Sequence, residues 1–205
     1  MKYLILISIS TLSFISSLFT QTVPLEIMGG QRNFWYQHVM GKGFENSKFG
    51  HFHVSSLHAF YDATPHELMS QSYLTYQMNA HIKPGIGLFY SSDPSFAPSI
   101  NVQLMHKGKN HFILAIPRID VVNNPSYDVM VMTEYFPKLT HNTTLYTRIQ
   151  VMLNYTGTQH NRSYQNIRAG INLGTVQLGV AANFDAYGKR IQYQNNYGLF
   201  VRKMI

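Results

Sequence analysis

Apolar and polar side chains alternate along much of the chain with a period of two residues. In the stretch SQSYLTYQMNAHI, one parity carries Leu74, Tyr76, Met78, Ala80 and Ile82, and the other carries Tyr73, Thr75, Gln77, Asn79 and His81. Because successive side chains of a β-strand point to opposite faces, this pattern predicts a strand with one apolar and one polar face. Soluble β-sandwiches and membrane barrels both contain such strands, so alternation alone does not decide between them.

Turn-forming residues divide the chain after residue 22 into short alternating runs, and no helix-period segment of useful length is present. The predicted fold is therefore all-β, a single antiparallel transmembrane β-barrel of twelve strands, or of ten if the first two lie outside the wall. Most runs approach the ~9–11 residues that a tilted strand needs to cross a bilayer. The predicted strands are 23–30, 33–41, 49–61, 71–82, 85–91, 99–106, 111–122, 127–136, 144–155, 163–174, 175–184 and 192–205.

The N-terminus indicates export. Lys2 precedes an apolar run over residues 4–19, followed by small and polar residues, which is the organisation of a secretory signal peptide. We predict a signal peptide over residues 1–20, cleaved near Thr20, and a barrel domain over residues 21–205. The alternative is an uncleaved N-terminal anchor, for which the run is short.

Composition narrows the function classes. The chain has no cysteine, which excludes disulfides and a lipid-modified N-terminal cysteine. Charged residues make up only 12% of the chain and aromatic residues 14%, which suits a surface that faces lipid. The net charge is +7, but the basic residues are scattered singly rather than clustered, so we expect no nucleic-acid partner.

The predicted connections form two alternating sets. Residues 83–85, 107–109, 137–142 and 174–175 make a short set, and the segments DATPHELMS, SDPSFAP, VNNPS, TGTQHNR and DAYGKR make a longer one. Outer-membrane barrels have short periplasmic turns and longer external loops. We therefore predict that the short set and the C-terminus face the periplasm.

The apolar parity of consecutive strands predicts the lipid-facing surface. It carries Val129 and Val131 on one strand, Ile149 and Val151 on the next, and Val180 further along. One parity of the last strand is also mostly apolar. In this it resembles the C-terminal strand by which the barrel-assembly machinery recognises outer-membrane barrels. Two departures are that Lys203 interrupts the apolar parity and that Ile205 replaces the usual terminal aromatic residue. Outer-membrane lipid and that machinery are the partners we expect.

Three parts of the chain together resemble a known group of proteins. They are the opening PLEIMGG followed by NFWYQHV, the centre IPRIDVV…YDVMVMTEYFPKL…LYTRIQ, and the ending YGLFVRKMI. They look like small uncharacterised outer-membrane β-barrels of Bacteroidota, and the likeness covers most of the chain after the signal peptide. The resemblance implies a fold and a location in the bacterial outer membrane, and it supplies no catalytic residues.

Charged residues on the polar parity predict a network inside the barrel. Glu134, Arg148 and Arg168 lie on three consecutive predicted strands, where hairpin counting places Arg148 between the other two. Two adjacent guanidinium groups in a confined lumen require an acid or a bound anion. Either a structural ion-pair network or an anion site fits the pattern. A second group, Arg118 with Asp120 and Asp128, is expected nearer the external rim.

The segment HFHVS places His51, His53 and Ser55 on one face of a strand. A histidine that activates a nearby serine is sound chemistry for the lipid A deacylase type of barrel, but no orienting acid is identifiable. The same histidines supply two metal ligands without a third or fourth. We therefore predict no catalytic residues, no metal site and no cofactor.

The resulting hypothesis is a non-enzymatic outer-membrane β-barrel, which acts as a narrow or plugged pore or as a structural or accessory component of the envelope. Two alternatives stay open at this point. One is a secreted soluble β-barrel or sandwich that binds a ligand, and the other is a lipid-modifying barrel enzyme.

Overall fold

The computed structural model describes residues 23–92, 96–140 and 143–205, so the predicted signal peptide lies outside the described residues. Twelve antiparallel strands form a closed barrel in which each strand pairs with its sequence neighbours and β1 pairs with β12. Among the described residues, no helix is long and apolar enough to cross a membrane. The strands are β1 (Pro24–Gly30), β2 (Asn33–Gly43), β3 (Phe49–Phe60), β4 (Glu67–Tyr76), β5 (Ile82–Ser91), β6 (Phe96–Lys107), β7 (His111–Asp120), β8 (Ser126–Tyr135), β9 (Thr144–Thr156), β10 (Gln159–Leu173), β11 (Val176–Tyr187) and β12 (Gln192–Met204).

The predicted all-β, twelve-stranded barrel is confirmed, and the ten-stranded alternative is wrong. β1 is part of the wall, because it pairs with β2 on one side and with β12 on the other. The backbones of Val23 and Ile205 bond to each other in both directions, at 2.7 and 3.0 Å, so both ends of the described chain lie at one rim. We call this the terminal rim and the opposite one the distal rim.

The connections differ from those predicted. The turn between β4 and β5 covers residues 77–81 rather than 83–85, because the Asn79 side chain accepts hydrogen bonds from the backbone N–H groups of His81 and Ile82. Such a side-chain bond holds a turn locally. Lys83 and its neighbours instead continue β5.

The expected difference in length between the two sets of connections is absent. Connections have two to six residues at the distal rim and two to eight at the terminal rim. Much of the segments DATPHELMS and TGTQHNR extends β4 and β10, which shortens the loops at the distal rim. At two hairpins the first turn residue, Gly157 or Gly174, has a positive φ of 58° or 66°. A glycine at that position permits a two-residue turn that matches the twist of the strands.

The outer wall of most strands is aliphatic, as predicted. Ile149, Val180 and Leu199 are 55%, 58% and 67% exposed on the exterior. Aromatic residues lie at the ends of the outward rows, for example the contacting pair Phe49 and Tyr76 near the terminal rim. An apolar band with aromatic residues at both edges is suited to a lipid bilayer and not to water. The soluble alternative is therefore not supported.

Glycines on the inner wall leave room for large lumen side chains. Gly170 and Gly179 are partners in the β10–β11 ladder, and the neighbouring strands place Tyr146 beside Gly170 and Phe200 beside Gly179. A Cβ atom added at Gly170 would meet the backbone carbonyl of Leu178. The two backbones thus approach more closely there than a larger residue permits.

Candidate functional site in the barrel lumen

The central feature of the lumen is a carboxylate shared by two arginines. Oε1 of Glu26 accepts a hydrogen bond from NH2 of Arg148 at 2.7 Å and another from Nε of Arg168 at 2.7 Å. Glu26 is 2% exposed and Arg168 is 1% exposed. Because Glu26 lies on β1 and the arginines lie on β9 and β10, these bonds run through the lumen between strands that are not adjacent.

This arrangement corrects one part of the predicted network. Arg148 does face Arg168 and Glu134 in the two ladders, as hairpin counting indicated. The counter-charge of the two arginines, however, is Glu26, and Glu134 instead pairs with Arg202 at 3.0 Å. Glu26 is 122 residues from Arg148 and their strands are not adjacent, so pairing of neighbouring strands could not reveal the contact.

Glu134 and Arg202 belong to a second set of bonds beside the first. The Tyr146 hydroxyl donates to Glu134 at 3.0 Å and accepts from NH1 of Arg202 at 2.8 Å. NH1 of Arg202 also donates to Oε1 of Gln177 at 2.8 Å. Arg202 therefore has three acceptors, whereas the Arg148 and Arg168 pair depends on one carboxylate for its charge balance.

The second predicted group is present near the distal rim. Arg118 donates to Asp120 at 2.9 Å through NH1 and to Asp128 at 2.7 Å through Nε. Its guanidinium also lies 3.5 Å from the centre of the Phe89 ring. The side chain of Arg118 is buried, so its two carboxylates compensate a desolvated charge.

A third charged group near the distal rim was not predicted. Arg162 pairs with Asp185 at 2.7 Å and with Glu67 at 3.1 Å, and the Tyr187 hydroxyl donates to Glu67 at 2.9 Å. The sequence predicts Glu67 in a loop and Arg162 before the start of its strand. Both residues lie on strands in the structure, because β4 and β10 are longer than predicted.

Large apolar side chains are also buried in the lumen. Trp35 and Phe200 are each 1% exposed and lie 4.9 and 5.9 Å from the guanidinium of Arg168. Across the lumen, Phe52, Tyr73 and Leu114 belong to a separate buried cluster. These side chains and the Glu26 ion pairs are among the buried groups of the lumen interior.

A cavity of about 280 Å³ occupies the lumen on the terminal-rim side of these side chains. We call it the vestibule. Basic side chains outnumber acidic ones in its lining, so its field favours anions. Its charged lining residues are Lys42, Lys48, Lys83, Arg148 and Arg202, with Glu26 and Glu134.

The histidines of HFHVS face outward. Phe52 and Val54 are the buried residues of that part of β3, so His51, His53 and Ser55 stand on the exterior. Nε2 of His51 lies 2.7 Å from the hydroxyl oxygen of Ser72, rather than beside Ser55. Among the ranges that the structure covers, no carboxylate forms an ion pair with His51, and no group of three or more potential ligands could hold a metal.

No protein-family model matches the chain, and no curated protein matches its sequence. Solved structures do match its fold. The KdgM porin is 11% identical with a TM-score of 0.51, over 90% of this chain and 99% of that one. The NanC porin is 9% identical with a TM-score of 0.52, over 91% of this chain and 100% of that one.

The chain has the fold of outer-membrane β-barrels. At these identities the similarity establishes the architecture and no shared chemistry. Together with the apolar outer wall, it is consistent with location in the bacterial outer membrane.

Proposed function

We propose that the protein is a non-enzymatic outer-membrane barrel with a narrow, anion-preferring lumen that side chains keep closed at mid-height. The observation that carries this proposal is the bond from Glu26 to both Arg148 and Arg168. It blocks the centre of the lumen and leaves one more positive than negative charge at the narrowest level. A constriction with excess fixed positive charge excludes cations more strongly than anions.

The vestibule supports the same proposal, because Lys48 and Lys83 add positive charge on the path to the constriction. Among the proteins of similar fold, the KdgM porin has been described in complex with disordered oligogalacturonate. An acidic solute is also what the lumen of this barrel would favour. Solutes wider than a few atoms would require the closing side chains to move.

Planar-bilayer conductance tests this function. We expect the parent to conduct far less than the NanC porin measured in parallel, with a reversal potential that indicates anion preference in a salt gradient. Trp35→Ala removes an uncharged side chain of the closure and should raise the conductance several-fold while the anion preference remains. A parent that conducts as well as NanC, or that prefers cations, contradicts the proposal.

The absence of enzymatic activity is part of the proposal. Two histidines contact a serine hydroxyl, His51 with Ser72 at 2.7 Å and His160 with Ser163 at 3.1 Å, and among the described residues neither histidine contacts a carboxylate that would orient it. Backbone N–H groups of the surrounding strands are engaged in the ladder and do not form an oxyanion hole. Mass spectrometry of membrane lipids should show the same acyl chains with the parent as with Ser72→Ala, and deacylated lipid only with the parent would contradict it.

We also propose that β12 is the segment that the barrel-assembly machinery recognises. It closes the barrel against β1, and its outward row includes Leu199 and Val201. The Bacteroidota resemblance stays a prediction, since no family model tests it.

A further inference from the structure

The outward face of β2, β3 and β4 differs from the rest of the barrel exterior. It carries a continuous group of polar side chains, which we call the histidine patch: Tyr36, His38, His51, His53, Ser55 and Ser72. The outward positions of β9, β11 and β12 instead carry exposed aliphatic residues such as Leu153, Val180 and Leu199. Directly behind the patch, on the lumen side of β3, the apolar residues Phe52 and Val54 are buried.

The patch lies at mid-height of the wall. His38 is the central residue of β2, and His53 and Ser72 are partners near the middle of β3 and β4. This is the level at which the lipid-facing band of a barrel meets hydrocarbon. Polar groups that face hydrocarbon without hydrogen-bond partners destabilise the barrel.

Contacts within the patch give hydrogen-bond partners to only some of its polar atoms. The Tyr36 hydroxyl lies 2.8 Å from Nδ1 of His38, and Nε2 of His51 lies 2.7 Å from the Ser72 hydroxyl. The rings of His38 and His53 stack at 5.0 Å, and those of His53 and His51 at 6.2 Å. Each ring has a second nitrogen, and lipid tails offer it neither a donor nor an acceptor.

We propose that the histidine patch is the surface at which two copies of this chain associate in the membrane. Hydroxyl groups and neutral imidazoles can each donate and accept, and the six side chains include no carboxylate and no permanently charged group. Such a surface is complementary to itself, as a two-fold contact between identical chains requires. A partner of fixed positive charge would find no counter-charge in it, and Lys42, the ladder partner of His51, borders it on the terminal-rim side.

Side-chain size also favours a second copy of this chain as the partner of the patch. Ser55 and Ser72 are small, and Ala59 extends the outward row of β3 towards the distal rim. Small residues allow two membrane-embedded walls to approach closely enough for hydrogen bonds between them. The dimer would thereby cover the part of the exterior that is least compatible with lipid.

Single-cysteine cross-linking in native membranes tests the proposal, because the chain has no cysteine of its own. Ser55→Cys and Ser72→Cys should give a disulfide-linked species of twice the monomer mass under mild oxidation, at least fivefold more than the control. The matched control is Ala169→Cys, which is outward at mid-height of β10. Three results would overturn the proposal. They are equal yields from all three variants, no dimer from either patch variant, and a cross-link to a protein of another mass.

A second variant separates association from the internal stability of the barrel. The double change His38→Leu and His53→Leu removes polar atoms from the exterior without changing the lumen. We expect the barrel to keep its heat-dependent shift in gel mobility, while cross-linking through Ser55→Cys falls several-fold. If the shift is lost, or if cross-linking is unchanged, the patch serves the monomer itself and the proposal is wrong.

Discussion

Glu26→Gln tests whether the lumen closure depends on a shared carboxylate. The substitution keeps the size of the side chain and removes the charge that Arg148 and Arg168 share through one oxygen atom. Glutamine can accept a hydrogen bond, but it leaves two guanidinium groups side by side in a buried space. Their positions in the β9–β10 ladder are directly opposite, so neither can move away without backbone movement.

The magnitude follows from the burial of the three residues. Glu26 and Arg148 are 2% and 3% exposed, so solvent screens their attraction only weakly. Removing one partner of a buried ion pair typically costs ~3–5 kcal/mol, whereas an exposed pair contributes less than about 1 kcal/mol. For a domain of this size, that loss corresponds to a decrease in melting temperature of roughly 10 °C.

The assay is thermal unfolding of the purified barrel in detergent at low ionic strength, followed by the heat-dependent shift in gel mobility. Glu134→Gln is the matched control, because its partner Arg202 keeps hydrogen bonds to Tyr146 and Gln177. We expect Glu134→Gln to lose about half as much stability as Glu26→Gln. Adding Arg148→Met to Glu26→Gln should restore part of the loss, since one of the repelling charges is then absent.

A melting temperature of Glu26→Gln within about 2 °C of the parent value would refute this reasoning. The lumen would then be wide and hydrated enough to screen the two arginines. A larger loss for Glu134→Gln than for Glu26→Gln would show that Glu134 is the main counter-charge. Either result would also weaken the proposal of a closed lumen.

Three further changes probe the wall and the distal rim. Val180→Arg places a cation on the lipid-facing band and should reduce assembly in the outer membrane, at a cost of ~2–4 kcal/mol. The control Gln77→Arg, at the vestibule, should assemble normally. Equal amounts of both folded variants would contradict the membrane assignment. Arg118→Met leaves two aspartates without a cation and should lower the stability by about 3 kcal/mol at neutral pH, and a melting temperature equal to that of the parent would contradict this expectation. Gly170→Val should lower the yield of folded barrel, because the new side chain would collide with the backbone carbonyl of Leu178. A melting temperature equal to that of the parent would show that β10 and β11 can separate there.

Alternation by itself determined the class of fold and the orientation of most side chains. On β9, alternation predicts Arg148 in the lumen and Val151 towards the lipid, and their burial and pairing confirm both predictions. A period of two is a property of the extended backbone, so it holds whatever the strand packs against. Pairing between consecutive strands follows from short turns, and this correctly placed Arg118 beside Asp128.

Turn positions and strand ends were less predictable. The segment 77–81 has the same alternation as β4, yet the side chain of Asn79 bonds to the following backbone and ends the strand. Glu67 and Arg162 were missed for the related reason that polar residues at strand ends resemble loop residues. Both meet at the distal rim only after the barrel has closed.

Tertiary structure alone decided the two features that matter most for function. Glu26 reaches Arg148 and Arg168 because barrel closure places β1 across the lumen from β9 and β10, a relation that no local pattern records. Around the middle of β3 the usual orientation is reversed, with Phe52 and Val54 inside and His51 and His53 outside, whereas His58 of the same strand is buried in the lumen. The lumen is narrow enough for side chains from opposite walls to pack there, so apolar residues are stabilised inside and the polar parity is left to face the membrane.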